Sequence, residues 1–237
     1  MTAATVTWHD VENGAYDADL PLWRELGEAA DGPILDLGAG TGRVAAELAA
    51  KGYEVVALDT ETDLLSALAE RAPSVDTVRA DARDFALERR FSLVIAPMQL
   101  VQIIGGHDGR SAMLTRVHEH LRPGGAFAAA LADPRAALPE RDTSPPLPDL
   151  VERDGWVFSS QPLSVQERDG SVVVTRQRQA VSPAGDREEE LVEIALDLVG
   201  LEHFEAELKA AGFGGLERRD IPQTDDHIGS TVVICRR

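Results

Sequence analysis

Cysteine is nearly absent from this chain, with Cys235 alone among 237 residues. A single thiol closes no internal disulfide, and within the run Thr231-Val232-Val233-Ile234 it reads as a small packed side chain rather than a nucleophile. Basic residues are outnumbered: 23 Lys and Arg stand against 41 Asp and Glu, a formal net charge of −18. Repulsion from phosphates argues against a nucleic-acid partner held on a broad basic surface. No apolar run reaches the roughly 18 residues of a membrane span, and residues 1–10 have neither a basic start nor an apolar stretch. No membrane partner is expected, and the cytoplasm is the expected location. Metal-ligand spacing is also lacking. Asp133, Asp225 and Asp226 supply carboxylates, but no spaced set of His and acid is readable, so no metal is expected.

What the chain does have is a stretch, Ile34-Leu35-Asp36-Leu37-Gly38-Ala39-Gly40-Thr41-Gly42-Arg43-Val44, joining a buried strand to a helix through three alternating glycines. Without a Cβ, Gly38, Gly40 and Gly42 accept left-handed backbone angles and let a ligand lie against the main chain. The following Val44–Ala50 segment is a strong helix former, so the turn's unpaired amides point out of a helix N-terminus toward a bound polar group. A dinucleotide fingerprint would place its third glycine one position later, where this chain has Arg43. A second strand, Tyr53 to Leu58, ends on Asp59, at the offset where a carboxylate accepts both hydroxyls of a ribose. Thr60 and Glu61 follow, so no basic side chain is in place for a ribose phosphate, which disfavours NADP.

The pattern D-x-G-x-G-x-G over Asp36 to Gly42 resembles the first motif of the class I S-adenosylmethionine-dependent methyltransferases. The phrase Leu121-Arg122-Pro123-Gly124-Gly125, ahead of a fifth strand at Ala126 to Leu131, resembles the same family. The likeness covers roughly Ile34 to Leu131 and the closing strands. It implies an α/β, Rossmann-like seven-stranded sheet of order 3-2-1-4-5-7-6 with helices on both faces. The implied cofactor is S-adenosyl-L-methionine, with S-adenosyl-L-homocysteine as product. Cofactor contacts are then expected from Asp36, Gly38, Ala39, Gly40, Gly42, Asp59, Thr60 and Ala96. The acid after the third strand, Asp81 or alternatively Asp84, would meet the adenine amino group, and the Ala82 amide a ring nitrogen. An aromatic from the segment before the first strand often touches cofactor and substrate in this family, which nominates Tyr16 ahead of Trp8.

Phe91 to Ala96 reads as a central fourth strand covered on both faces. The stretch Pro97 to His107 then lies at its carboxyl edge, where open α/β sheets bind ligands. Met98, Gln99 and Gln102 are the substrate candidates there, although either glutamine could equally tie down the loop. Ala-Pro-Met-Gln departs from the Asn-Pro-Pro-Tyr motif of many exocyclic-amine methylases of nucleic acid and glutamine, which makes those activities unexpected. In the helix Ser111 to Leu121, Met113, Leu114, Val117 and Leu121 face inward, leaving His118 and His120 on the outer side.

The chain is expected to be one methyltransferase domain, 1–237, with a helical cap over 1–32 and a lid over 139–198. Prolines and charges between Asp133 and Asp149 mark an insertion point. The strand-like segments 155–160, 163–167, 171–181 and 188–198 suggest a small antiparallel sheet with turns at Arg168-Asp169-Gly170 and Ser182 to Gly185. Such a sheet could cover the cofactor cleft or pair with a second copy, making a homodimer conceivable. Arg176 and Arg178 offer cations to an anionic substrate or to solvent. The last two strands, 215–221 and 230–236, are joined by Pro222 to Gly229, which returns to the carboxyl edge with His227. A histidine there could take a proton from a nucleophile, or bond Asp225 or Asp226 instead.

The function these readings imply is methyl transfer to a nitrogen or oxygen of a small molecule by in-line displacement. Two rivals stay open: a noncatalytic S-adenosylmethionine-binding protein, and an NAD-dependent oxidoreductase sharing the fold and Asp59 but lacking the third dinucleotide glycine.

Overall fold

The computed structural model describes residues 2–137, 147–224 and 227–237. Two helices come first, α1 (Thr2–Asn13) and α2 (Leu20–Ala29). Pro21 in the first turn of α2 gives up an amide that has no intrahelical partner in any case. A doubly wound core follows: β1 (Ile34–Leu37), α3 (Arg43–Ala50), β2 (Val55–Asp59), α4 (Thr62–Arg71), β3 (Asp76–Arg79) and β4 (Phe91–Ala96). After a one-turn helix α5 (Leu100–Ile103) come α6 (Gly106–His120) and β5 (Leu121–Ala132). The chain then leaves the core for β6 (Asp149–Arg153), β7 (Trp156–Arg168), β8 (Ser171–Val181) and β9 (Arg187–Asp197). It returns through α7 (Leu201–Ala210), β10 (Gly214–Ile221) and β11 (Ser230–Arg236).

The main sheet runs β3-β2-β1-β4-β5-β11-β10, with β11 antiparallel to both neighbours, the order expected from sequence. β1 and β4 are buried along their whole length. That is why they read as unbroken apolar runs, since helices cover both faces of a largely parallel sheet. One face packs Leu35, Leu37, Val94, Phe127 and Val233 under α6 and α7. The other packs Ile34, Val55, Ile95, Ala128 and Val232 under α2, α3 and α4. The carboxyl ends of β1, β2, β4 and β5 therefore form one open edge.

The inserted segment is a separate four-stranded antiparallel sheet, β6-β7-β8-β9. The sequence divides its long strand at Pro162. The structure keeps β7 continuous across a register shift between Pro162 and Ser164, because a proline lacking an amide is accommodated at a bulge. β6 was not anticipated, and the 139–146 portion of the expected lid lies outside the described residues. Nor was α1. It lies across α4 and the inserted sheet, and Asp10 bonds Arg71 of α4 at 2.6 Å and Arg153 of β6 at 3.1 Å.

Candidate active site

The glycine turn between β1 and α3 carries positive φ at Gly38 (65°), Gly40 (56°) and Gly42 (88°). Two of these positions admit no side chain. A Cβ on Gly42 would lie 2.1 Å from Leu68 Cδ1, and one on Gly40 would lie 2.2 Å from His9 Nε2. The turn is locked from below: the Gly40 amide donates to Asp59 Oδ2 at 2.8 Å and the Ala39 amide to the Leu58 carbonyl at 3.1 Å. The Glu61 amide donates to the other Asp59 oxygen at 3.0 Å, so the carboxylate at the tip of β2 is aimed back at the turn. Each of its oxygens still has a second lone pair to offer.

Asp36, in the middle of β1, is the least ordinary group in the chain. It is 1% exposed, and its Oδ1 has no hydrogen-bond partner among the described residues. Burial raises its pKa to about 8; the Arg43 charge opposes this and Asp59 adds to it. A carboxyl held nearly neutral with one oxygen unpartnered under a glycine turn fits a positively charged ligand group arriving above it. These residues therefore fit a cofactor that carries both a ribose and a cation.

Arg43, where a dinucleotide site would have glycine, fastens the N-terminal cap. It donates to both oxygens of Asp19 at 2.6 and 2.8 Å and to the Tyr16 carbonyl at 2.8 Å. Its guanidinium also stands 5.0 Å from the Tyr16 ring centre. Asp19 accepts from Trp23 Nε1 as well, at 2.8 Å, which satisfies a buried acid on three sides. Tyr16 is thus held in place, buried, and stacked at 4.8 Å on His227 from the connection between β10 and β11. Burial, and then the Asp19 charge, push the phenol above its ordinary pKa, and Ser230 shares a hydrogen bond with it. Asp225 and Asp226, the expected alternative partners of His227, lie outside the described residues.

Met98, just past β4, adopts φ 56°, a left-handed angle uncommon for a side-chain-bearing residue, and such positions concentrate at functional sites. It packs with Tyr16 and Ala39 in the same apolar cluster. Gln99 is half-buried and makes no side-chain hydrogen bond among the described residues. Ala96 is buried at the end of β4, Ala82 is buried in the turn after β3, and Thr60 is exposed. Asp81 is engaged with Arg83, whose hydrogen bonds hold its carboxyl below the usual range.

Three expectations are corrected. Gln102 is not a free substrate ligand. Its amide is fully buried, donates to the carbonyls of Ala132 (3.0 Å) and Asp197 (3.3 Å), and accepts from the Ala132 amide at 3.0 Å. It braces the end of β5 against the end of β9. Arg176 and Arg178 face neither substrate nor open solvent. Arg178 donates to both oxygens of Glu12 at 2.7 and 2.8 Å, and Arg176 bonds Asp149 and the Ser160 hydroxyl. The inserted sheet is therefore clamped onto α1, where Trp8 also meets Phe158 edge-on at 5.6 Å. His120 is buried, not solvated, and accepts from the Leu87 amide at 2.9 Å. Asp59 has the expected position, but the cap closes the turn above it with a residue that sequence reasoning passed over. His9 fills the space left by the missing Cβ of Gly40 and shares a 3.3 Å hydrogen bond with Thr41. Burial lowers its pKa, so the ring is neutral at pH 7.

Beyond Ser230 the carboxyl edge opens into a cavity of ≈ 480 Å³ between β5, β10, β11 and the start of α7. Asp133, Asp220 and Glu202 line it, with Arg135 as its cation. Arg135 is itself paired with Glu167 at 3.1 Å.

Comparison with known proteins matches residues 34–125 to the Methyltransferase domain family. The cypemycin N-terminal methyltransferase of Streptomyces sp. is 32% identical over 120 residues, covering 49% of each chain. A dTDP-3-amino-3,4,6-trideoxy-alpha-D-glucopyranose N,N-dimethyltransferase of Streptomyces venezuelae is 27% identical over 141 residues, 56% of this chain and 55% of that one. The chain spans about half the length of the curated relatives it matches. Among solved structures, an amino pentose methyltransferase from Micromonospora echinaspora, determined with SAM bound, superposes with a TM-score of 0.71. That match is at 23% identity and covers 97% of this chain and 91% of the other. Residues 34–125 thus match the Methyltransferase domain family, and the chain shares its strand order and fold with a solved S-adenosylmethionine-bound methyltransferase.

Proposed function

We propose that this chain binds S-adenosyl-L-methionine along the open edge of β1, β2 and β4 and transfers its methyl group to the nitrogen of a small-molecule amine. The observation that carries this reading is the orphaned, buried Asp36 beneath a glycine turn whose middle amide is locked to Asp59. Asp59 takes the ribose hydroxyls, with Thr60 beside it. Gly38, Ala39, Gly40 and Gly42 give the ligand a bare backbone, and Asp36 answers its positive charge. Asp81, Ala82 and Ala96 border the adenine, and Tyr16 closes the site from the cap. When bound, the cofactor supplies an electrophilic methyl on a sulfonium.

The protein's task is alignment and dryness. Holding a nucleophile in line with the methyl in a water-poor site lowers the barrier without a covalent intermediate. Met98 and Gln99 lie at the end of β4 where the acceptor must approach. His227, stacked on Tyr16, stands ready to take the proton an ammonium must shed before its lone pair can attack. Two things support an amine over an anionic acceptor. The cavity past Ser230 is lined by three carboxylates against one paired arginine, and of the two relatives named above one is an N,N-dimethyltransferase of an amino sugar and the other an N-terminal methyltransferase by name. The cap over 1–32 and the lid over 139–198 serve as covers. The acidic charge makes nucleic acid an unsuitable partner, and no helix among the described residues is long and apolar enough to cross a membrane. Leu150, Leu163 and Leu191, exposed on the lid, would suit a homodimer contact, and the cytoplasm suits a cofactor made there.

The test is a methyl-transfer assay with labelled S-adenosylmethionine against amino sugars, peptide amino termini and matched hydroxyl compounds, read by mass spectrometry. Methylated amine that disappears in Asp59→Ala supports the proposal. Methylated hydroxyls alone would overturn the amine assignment, and cofactor binding with no acceptor in any class would favour the noncatalytic reading.

A further inference from the structure

On the face of the molecule carrying α6 and α7, two histidines converge on one buried carboxylate. His107 Nδ1 lies 2.8 Å from Glu207 Oε1, and His203 Nε2 lies 3.1 Å from the same oxygen. His203 and Glu207 are one helical turn apart, so they share a face of α7, while His107 comes from the first turn of α6. Glu207 is fixed from behind by Arg110, whose Nε donates to Oε2 at 2.8 Å and whose second nitrogen donates to Oε1 at 3.0 Å.

Three nitrogens crowd Oε1: Arg110 and His107 are hydrogen-bonded to it, and His203 Nε2 lies at 3.1 Å as a charge contact without a hydrogen bond. A cation in front of Oε1 would be met by the lone pairs of both imidazoles. The charge balance allows it. Arg110 is shared between Glu207 and Asp197, the latter at 3.3 Å, so with neutral histidines the cluster carries a net charge of −1.

We propose that His107, His203 and Glu207 form a binding site for a divalent transition-metal ion of the zinc type. The three ligand atoms lie within 4.8 Å of one another. A tetrahedral zinc with bonds of about 2.0–2.2 Å needs its ligands about 3.3 Å apart. Both histidine side chains are about two-thirds exposed, at 66% and 63%, so their rings turn to reach that spacing while Glu207 stays put. Two imidazoles and a carboxylate leave the fourth position to water and favour zinc, nickel or cobalt over calcium or magnesium. The site is structural rather than part of methyl transfer. Asp197, which shares Arg110 and accepts from the Gly106 amide at 2.8 Å, ends the last strand of the lid, so a bound ion would brace the return of the lid into the core.

The experiment is calorimetric titration of tag-free protein with zinc chloride, alongside His107→Ala, His203→Ala and the double variant. Circular dichroism melts confirm that each is folded. Glu207→Gln is left out because it strands Arg110 in the interior. The expected result is one zinc per chain, weakened at least about 10-fold by either single substitution and abolished by the double one. Magnesium should not compete, and the melting temperature should rise in a chelator-reversible way. Cobalt should give the visible absorption of a four-coordinate centre in the wild type alone. Zinc uptake unchanged in the double variant, or no saturable uptake by the wild type, would overturn the proposal.

Discussion

The two sides of the open sheet edge are built on different principles. The proposed cofactor side, from Asp36 to Asp59, is made of backbone: glycines at positive φ, an amide locked to a carboxylate, a buried acid beneath them. The proposed acceptor side is made of side chains meeting across the chain. Arg178 reaches Glu12, Arg43 reaches Asp19, and Tyr16 stacks on His227. A ligand common to a large family can be gripped by main-chain geometry that tolerates little variation, whereas covers that define the acceptor are free to be assembled from ion pairs. The cofactor side should therefore fail by losing affinity, and the covers by losing stability and acceptor selection.

The largest effect is expected at the joint between them. Arg43→Ala leaves Asp19 buried with its principal cation gone and should cost about 3 kcal/mol in denaturant unfolding. Arg43→Lys should recover only part of this, because one ammonium cannot replace the two-pronged contact. A loss below about 1 kcal/mol would mean the cap is held by packing alone.

How legible each side was follows from the same contrast. The glycine spacing, the strand ending on Asp59 and the phrase before β5 are local patterns, so strand order and the place of the glycine turn at the open edge could be read from the chain. The misses are all long-range. α1 carries β-branched Thr5, Val6 and Thr7, poor helix formers, and is held by contacts to α4 and the inserted sheet rather than by its own propensity. His9 matters because it covers Gly40, and Gln102, open to either role from the sequence, braces partners that lie 30 and 95 positions away. His120 looked solvated from helical periodicity, yet sits where Leu87 needs an acceptor.

Next in size is the pH response of Asp36. Its folded pKa is raised to about 8, so between the ordinary carboxylate range and that value the folded state holds a proton that the unfolded state has released. Stability of the ligand-free protein should then fall as pH rises through this window, and Asp36→Asn should remove that component of the slope. Binding of a cationic ligand should release the proton, so affinity should improve toward pH 8 in the wild type and be flat in the variant. An identical slope in both proteins would show that Asp36 is not the group responsible.

A smaller effect sharpens the contrast from the other side. Glu12→Gln breaks the bidentate pair with Arg178 and should cost about 1–2 kcal/mol of stability. It should raise KM for a methyl-accepting amine while leaving cofactor affinity unchanged. A parallel loss of cofactor affinity would mean the two sides are one site energetically. The smallest effect belongs to Cys235. Fully buried, with burial pushing its thiol up to about 12, it should resist alkylation in the native state and leave ligand binding untouched.

The central claim is that the glycine turn and Asp59 hold an S-adenosyl cofactor, and calorimetric titration with S-adenosylhomocysteine and, separately, NAD tests it most directly. The wild type should bind S-adenosylhomocysteine in the micromolar range and NAD not at all. Asp59→Ala should lose about 10- to 100-fold of that affinity, as expected for charged hydrogen bonds to a ribose. Binding of NAD alone, of neither ligand, or of S-adenosylhomocysteine equally well by the variant would contradict the account.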